Sequence, residues 1–147
     1  MYDNPWLFNG VPFDDAQKYY GFIYLLINKQ TGKRYIGRKY FIQKVTPKGK
    51  TRKVTGESHW RKYYSSNAEI KSLVKQGVEF ERHILSLHEL QRDVNYGEVR
   101  AMFKYDVLEA QDLEGNRLYY NDNISGKYYS KLQQDFAKRA VFSEGQL

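Results

Sequence analysis

The run Gly21-Phe22-Ile23-Tyr24-Leu25-Leu26-Ile27, the stretch Asn28-Lys29-Gln30-Thr31-Gly32 and the segment 33–41 that contains Tyr35-Ile36-Gly37 decide the fold. The first run is continuously apolar, β-branched and aromatic, the composition of a strand covered on both faces, so it belongs at the centre of a sheet. A short loop with glycine near its end follows, and extended character resumes at Lys33, which makes an antiparallel β-hairpin. A hairpin of this length lays the phenols of Tyr24 and Tyr35 near one another, with Arg38 and Lys39 close behind. Strand tyrosines usually serve packing, and the chain has 14 of them, so neither residue alone points to chemistry. Their joint placement beside cations does.

Working outward, 147 residues and 17.5 kDa hold one domain with its own core, 1–147, in which 20–124 form the body, 1–19 an arm and 125–147 a tail. There is no cysteine, hence no disulfide framework and no thiolate zinc site, which fits a reducing compartment such as the cytoplasm. The N-terminal region carries Asp3, Asp14 and Asp15 where a secretory signal has cations and an apolar run, and no stretch of about 18 apolar residues occurs, so neither secretion nor a membrane span is expected. The net charge of +7 is unevenly spread. Residues 16–56 hold eleven Lys or Arg and no acid, while the other thirteen cations face all 17 acids. So focused a positive field is the footprint of a nucleic-acid binder.

Before the hairpin, the turn formers around Trp6, Phe8 and Phe13 predict an irregular arm packed on the body. After it, 43–58 places Lys44, Lys48, Lys50, Arg52 and Lys53 among Pro47, Gly49 and Gly56, a composition that builds no core and reads as an exposed basic loop or ribbon. Ser66-Asn67-Ala68-Glu69 matches a capping box and predicts a helix over 67–76. Val78, Phe80, Arg82 and Ile84 alternate with Glu79, Glu81 and His83, which predicts a half-buried third strand over 79–86. Val99, Met102, Phe103 and Val107 predict a second helix over 94–108, with Glu98 along the edge of its buried stripe. A short amphipathic helix is expected within 131–140.

The hairpin signature resembles that of the GIY-YIG nuclease family, and the likeness runs over about 20–124. His59-Trp60-Arg61-Lys62-Tyr63-Tyr64-Ser65-Ser66 before a helix, the strand 79–86, Tyr96-Gly97-Glu98 and Tyr119-Tyr120-Asn121 are similar to successive elements of compact, phage-type, homing-endonuclease-like members. The resemblance implies an α/β (α+β) fold, a small three-stranded antiparallel sheet flanked by helices, here with an inserted basic loop, and divalent-metal-dependent cleavage of DNA. It matches Tyr24 and Tyr35 to the paired tyrosines, Glu98 to the single metal-binding carboxylate and Asn121 to the asparagine near the end of the module. The family's arginine falls here at Val45, so an insertion has displaced it. Arg61 is favoured in its place, with Arg38, Lys39 and Arg52 as alternatives, and His59 or Tyr64 is expected to assist the water or the leaving group.

Each role has a physical rationale. Mg²⁺ (or Mn²⁺) prefers oxygen ligands and keeps several waters, so one carboxylate and a substrate phosphate oxygen suffice to hold it. A tyrosine near pKa 10 is a poor base at neutral pH, but Arg38 and Lys39 nearby are expected to favour its phenolate. One phenol would accept the proton of the attacking water and the other orient it. An arginine grips phosphate bidentately, and the cations of the basic loop contact the backbone without a base code. A non-catalytic nucleic-acid-binding module of the same shape is the alternative.

Overall fold

The computed structural model describes residues 1–144. Its strands are β1 (Leu7–Phe8), β2 (Val11–Pro12), β3 (Gly21–Asn28), β4 (Arg34–Tyr40), β5 (Ile42–Val45), β6 (Val54–Glu57), β7 (Phe80–His88), β8 (Asn123–Ile124) and β9 (Tyr128–Tyr129). Its helices are α1 (Ala68–Lys75), α2 (Gln91–Lys104), α3 (Ser130–Gln133) and α4 (Phe136–Arg139), with a 3₁₀ turn at Trp60–Lys62. The main sheet runs β2-β1-β7-β3-β4. The apolar run takes its place between β7 and β4, antiparallel to both. Successive side chains of a strand point to opposite faces, so Phe22, Tyr24 and Leu26 enter one core with Trp6, Trp60 and Ile70. Ile23 enters the other with Ile36, Val94 and Met102, under α2.

The three expected antiparallel strands are present, and the sheet is larger than expected. The arm is not wholly irregular: Leu7–Phe8 pairs in parallel with β7 and Val11–Pro12 pairs back on it. Two groups draw it in. Trp6 is fully buried and its indole N–H donates to the Trp60 carbonyl at 2.8 Å. The guanidinium of Arg82, 1 % exposed, donates to the carbonyls of Asp3, Asn4, Arg61 and Tyr63 and stacks on Trp6 and Tyr64. Arg82 therefore ties the arm and the 61–63 segment to the buried phase of β7.

Helix boundaries also move. α1 falls within the expected 67–76, but its cap is Asn67 and not the Ser66 of the capping box, the Asn67 side chain accepting from the Ile70 N–H at 3.0 Å. α2 begins three residues before Val94, because its first turn need not touch the core, and ends at Lys104, where Asp106 adopts a φ of 55°. The tail helix is broken into α3 and α4 at Gln134 and Asp135. The basic loop is a two-stranded ribbon, β5 antiparallel to β6. Among the described residues no helix is long and apolar enough to cross a membrane.

Candidate active site

Strand register explains how the phenols meet. Tyr24 pairs with Gly37 across the β3–β4 ladder, and Tyr35 lies two residues from Gly37 on the same face, so the tyrosines are diagonal neighbours. Their ring centroids are 6.2 Å apart. Gly37 makes this possible. A Cβ there would stand 2.6 Å from Tyr24 Cζ and 3.0 Å from Tyr35 Cε1, closer than atoms pack, so only glycine lets the Tyr24 ring lie across β4.

The two rings form part of a cavity of about 350 Å³. Its wall also holds Arg38, Lys39, Tyr63, Ser66 and one acid, Glu98. Glu98 reaches it from α2, which packs on β3 and β4 closely enough that Gly97 has Ile23 and His88 against it. An adjoining cavity shares Tyr35 and Glu98 and adds Asn121 and Asp122. Arg38 Nη1 donates to Asn95 Oδ1 at 2.8 Å and stands 3.6 Å from Glu98 Oε1, so two residues of one α2 face hold the guanidinium at the rim. The Lys39 ammonium lies 4.3 Å from the Tyr63 ring centroid, and burial lowers its pKa.

Burial dominates the electrostatics of the phenols. Tyr24, 1 % exposed, has its pKa raised well above the ordinary value by desolvation, with Tyr63 and Tyr35 adding to the effect and the Ser65 hydroxyl opposing it. Tyr35 is raised for the same leading reason; Ser65 opposes and the Glu98 charge adds. The expectation that Arg38 and Lys39 pull these values down is corrected: burial outweighs any nearby charge at both phenols, while Arg38 is drawn to Asn95 and Glu98 and Lys39 lies over the Tyr63 ring. Glu98 is also raised, by burial, with Arg38 acting in the opposite direction.

Several sequence assignments move. The guanidinium of Arg61 does not line the cavity: Nε and Nη1 bond Asp14 and Glu57, each at 2.6 Å, Nη2 donates to the Asp14 carbonyl, and the group stacks on Trp60. A cation so neutralised is a latch between arm and ribbon. His59 is exposed and also lies off the cavity wall. Tyr64 faces away, its hydroxyl accepting from Asn4 Nδ2 at 2.8 Å and its ring covering Arg82; its neighbour Tyr63 is the one in the wall. Asn121 is 2 % exposed and acts on backbone: Nδ2 donates to the Ile36 carbonyl at 2.8 Å and Oδ1 accepts from the Ile36 N–H at 3.1 Å. It mimics a strand peptide on the edge of β4 and so fixes the orientation of Tyr35. Arg38 and Lys39 stand in the wall, whereas Lys44, Lys48, Lys50, Arg52 and Lys53 are exposed on the ribbon.

Sequence reasoning missed Tyr63, Ser65 and Asn95. Tyr-Tyr-Ser-Ser before a helix was a visible signal, but spacing in an irregular segment cannot tell Tyr63 from Tyr64. Nothing in the sequence marks Asn95.

The donor set suits a hard divalent ion that keeps most of its water: one carboxylate, Glu98, with the phenols and Ser66 in the wall of the first cavity, and Asp122 added in the adjoining one. Among the described residues no cluster of three or more His, Asp or Glu gathers, so a fully protein-ligated site is not what this geometry offers. A family model described as "Putative endonuclease segE, GIY-YIG domain" matches residues 6–124. No curated protein and no solved structure matches the chain. The matched span starts at Trp6, which the fold buries, and runs past Asn121, which secures β4, and by that extent the chain belongs to the GIY-YIG endonuclease family.

Proposed function

We propose that this chain is a Mg²⁺-dependent (or Mn²⁺-dependent) DNA endonuclease that hydrolyses phosphodiester bonds at the Tyr24–Tyr35–Glu98 cavity. The observation that carries the proposal is the convergence of two phenols, two cations and one carboxylate on one open space of about 350 Å³. Glu98 would hold the ion, and what the ion supplies when bound is positive charge for the scissile phosphate and the leaving oxygen. Arg38, oriented by Asn95, and Lys39 grip the phosphate beside it. Arg38 thus takes the clamp role that the sequence gave to Arg61.

Tyr35, less buried than Tyr24, meets the attacking water and takes its proton. The Ser65 hydroxyl supports the phenolate form, and its oxygen accepts from the Asn67 N–H at 2.9 Å, which leaves the Ser65 proton free to point at the phenols. Tyr24 and Tyr63 orient that group from behind. With both phenols protonated at neutral pH, reactivity rests on the small phenolate fraction.

Supercoiled plasmid with Mg²⁺, compared with EDTA and with Glu98→Ala, tests this. Nicking or linearisation by wild type alone is expected; equal cleavage by Glu98→Ala overturns it. The burial of Tyr24 favours a second reading, a binding module that keeps the nuclease shape, and DNA binding without cleavage in any divalent ion would select it.

A further inference from the structure

The ribbon grows directly out of the cavity rim. Ile42 and Gln43 at the start of β5 and Ser58 just after β6 all line the cavity wall. Its root is fixed. Ser58 donates from its N–H to the Phe41 carbonyl at 2.7 Å and from its hydroxyl to the Tyr40 carbonyl at 2.6 Å, while Glu57 and Asp14 both hold Arg61. Beyond that root the two strands pack chiefly on each other. The last paired residues are Val45 and Val54, 39 % and 46 % exposed. A turn then closes the tip, Lys50 N–H donating to the Pro47 carbonyl at 3.0 Å with Gly49 at a φ of +78°.

Charge and reach define what the ribbon fits. Lys48, Lys50, Arg52 and Lys53 crowd the tip, and no acid lies between Ala16 and Gly56 to neutralise them. From Gln43 to Lys48 is five residues, at most about 16 Å at strand rise because the chain leaves β5 at Val45, or up to about five steps of duplex at roughly 3.4 Å each. A two-stranded ribbon has the width of the B-DNA major groove, and exposed valines in register on it suit a groove floor that carries thymine methyl groups.

Resting on the nuclease proposal, we infer that the β5–β6 ribbon lies in the major groove of duplex DNA on one side of the scissile bond and grips phosphates about five base pairs from it. The substrate is then double-stranded and its requirement is one-sided. Duplex is needed on the ribbon side of the cut and is dispensable on the other.

The test uses the full chain and labelled duplexes spanning a mapped cut, shortened from one end at a time, beside single strands of the same sequence. Shortening one flank below about five base pairs should lower kcat/KM at least tenfold, and shortening the other to two should leave it within twofold. Lys48→Ala, Lys50→Ala, Arg52→Ala and Lys53→Ala combined should erase that asymmetry. In parallel, binding to a long duplex by anisotropy should show a salt slope shallower by about two to four for the quadruple variant. A second variant, residues 46–53 replaced by Asn-Gly, should behave alike and guards against misfolding of the tip. Equal dependence on both flanks, efficient cleavage of single strands, or an unchanged salt slope would overturn the inference while leaving the nuclease standing. If wild type cuts nothing yet the slope falls as stated, the ribbon contact stands and the nuclease proposal is what fails.

Discussion

Gly37→Ala isolates the contact on which the paired phenols depend. Gly37 does not take a left-handed φ, so alanine fits the backbone, and removing glycine's extra unfolded-state freedom by itself favours the fold by about 0.5–1 kcal/mol. Against this, the new Cβ would stand 2.6 Å from Tyr24 Cζ, and ordinary carbon contact needs about 3.6 Å. The ring must retreat by about 1 Å, yet Trp6 and Tyr63 hold it at centroid distances of 5.2 and 6.0 Å. Overpacking of this kind costs about 1–3 kcal/mol, and with so enclosed a ring the upper end applies, leaving a net loss of about 2 kcal/mol. In thermal melts that is a fall of about 6 °C. A phenol displaced by about 1 Å also lowers kcat, by roughly a hundredfold. The cycle with Tyr24→Leu decides the cause: leucine lacks Cζ, so its penalty should be smaller in the Gly37→Ala background by about 1–2 kcal/mol. Strict additivity, or a Gly37→Ala protein that melts and cuts like wild type, would refute the packing argument.

Glu98→Gln should abolish cleavage and yet stabilise the metal-free protein at pH 7, by about 0.5–2 kcal/mol. Burial raises this carboxyl above its unfolded value, so the folded state binds its proton more readily and wild type loses stability as pH rises through the folded pKa; melts in EDTA at pH 7 and pH 5 should show the variant's advantage shrinking at the lower pH. Because Tyr35 is raised above its ordinary value, single-turnover rates should climb about tenfold per pH unit from 6.5 to 9 with no plateau, and a plateau near 7 would exclude a phenol as base. Arg38→Ala should lower kcat by about a hundredfold or more, whereas Arg61→Ala should keep it within a few fold and cost about 1 kcal/mol of stability through its half-exposed pairs. Arg82→Lys should cost about 3 kcal/mol or more in urea melts, since an ammonium cannot serve four carbonyls at once.

The parts of the molecule legible in the sequence are those where one residue's neighbours along the chain already fix its environment. The hairpin announces itself through an unbroken apolar run and its turn, and α1 through its cap. The ribbon was visible only as composition, because four short pairs between exposed strands leave no periodic trace. Its pairing with the rim depends on Ser58 returning to Phe41 through a backbone N–H that every residue but proline carries and to Tyr40 through a hydroxyl whose partner is set only by the fold. The helix-edge position of Glu98 brings it to the tyrosines because α2 packs closely over β3, a tertiary fact with only Gly97 as a local hint.

Arginine is where local reasoning fails most clearly, and the failure has one cause. A guanidinium looks the same in sequence whether it faces phosphate, carboxylate or carbonyl. Arg61 beside a helix start resembled a phosphate clamp, but Asp14, 47 residues away, supplies the anion it needs. Arg82 sat on the buried phase of a strand, the one place where an arginine with no acid partner among its hydrogen bonds must find its acceptors in the backbone, and it finds them in the arm and the 61–63 segment. Arg38 keeps more of its charge available, because Asn95 orients it without neutralising it and its one acidic neighbour, Glu98, pairs with it at 3.6 Å against the 2.6 Å of both Arg61 pairs. The division among the three follows from how much of each cation's field is already spent on protein, and by that measure Arg38 is the one with charge left for a substrate phosphate.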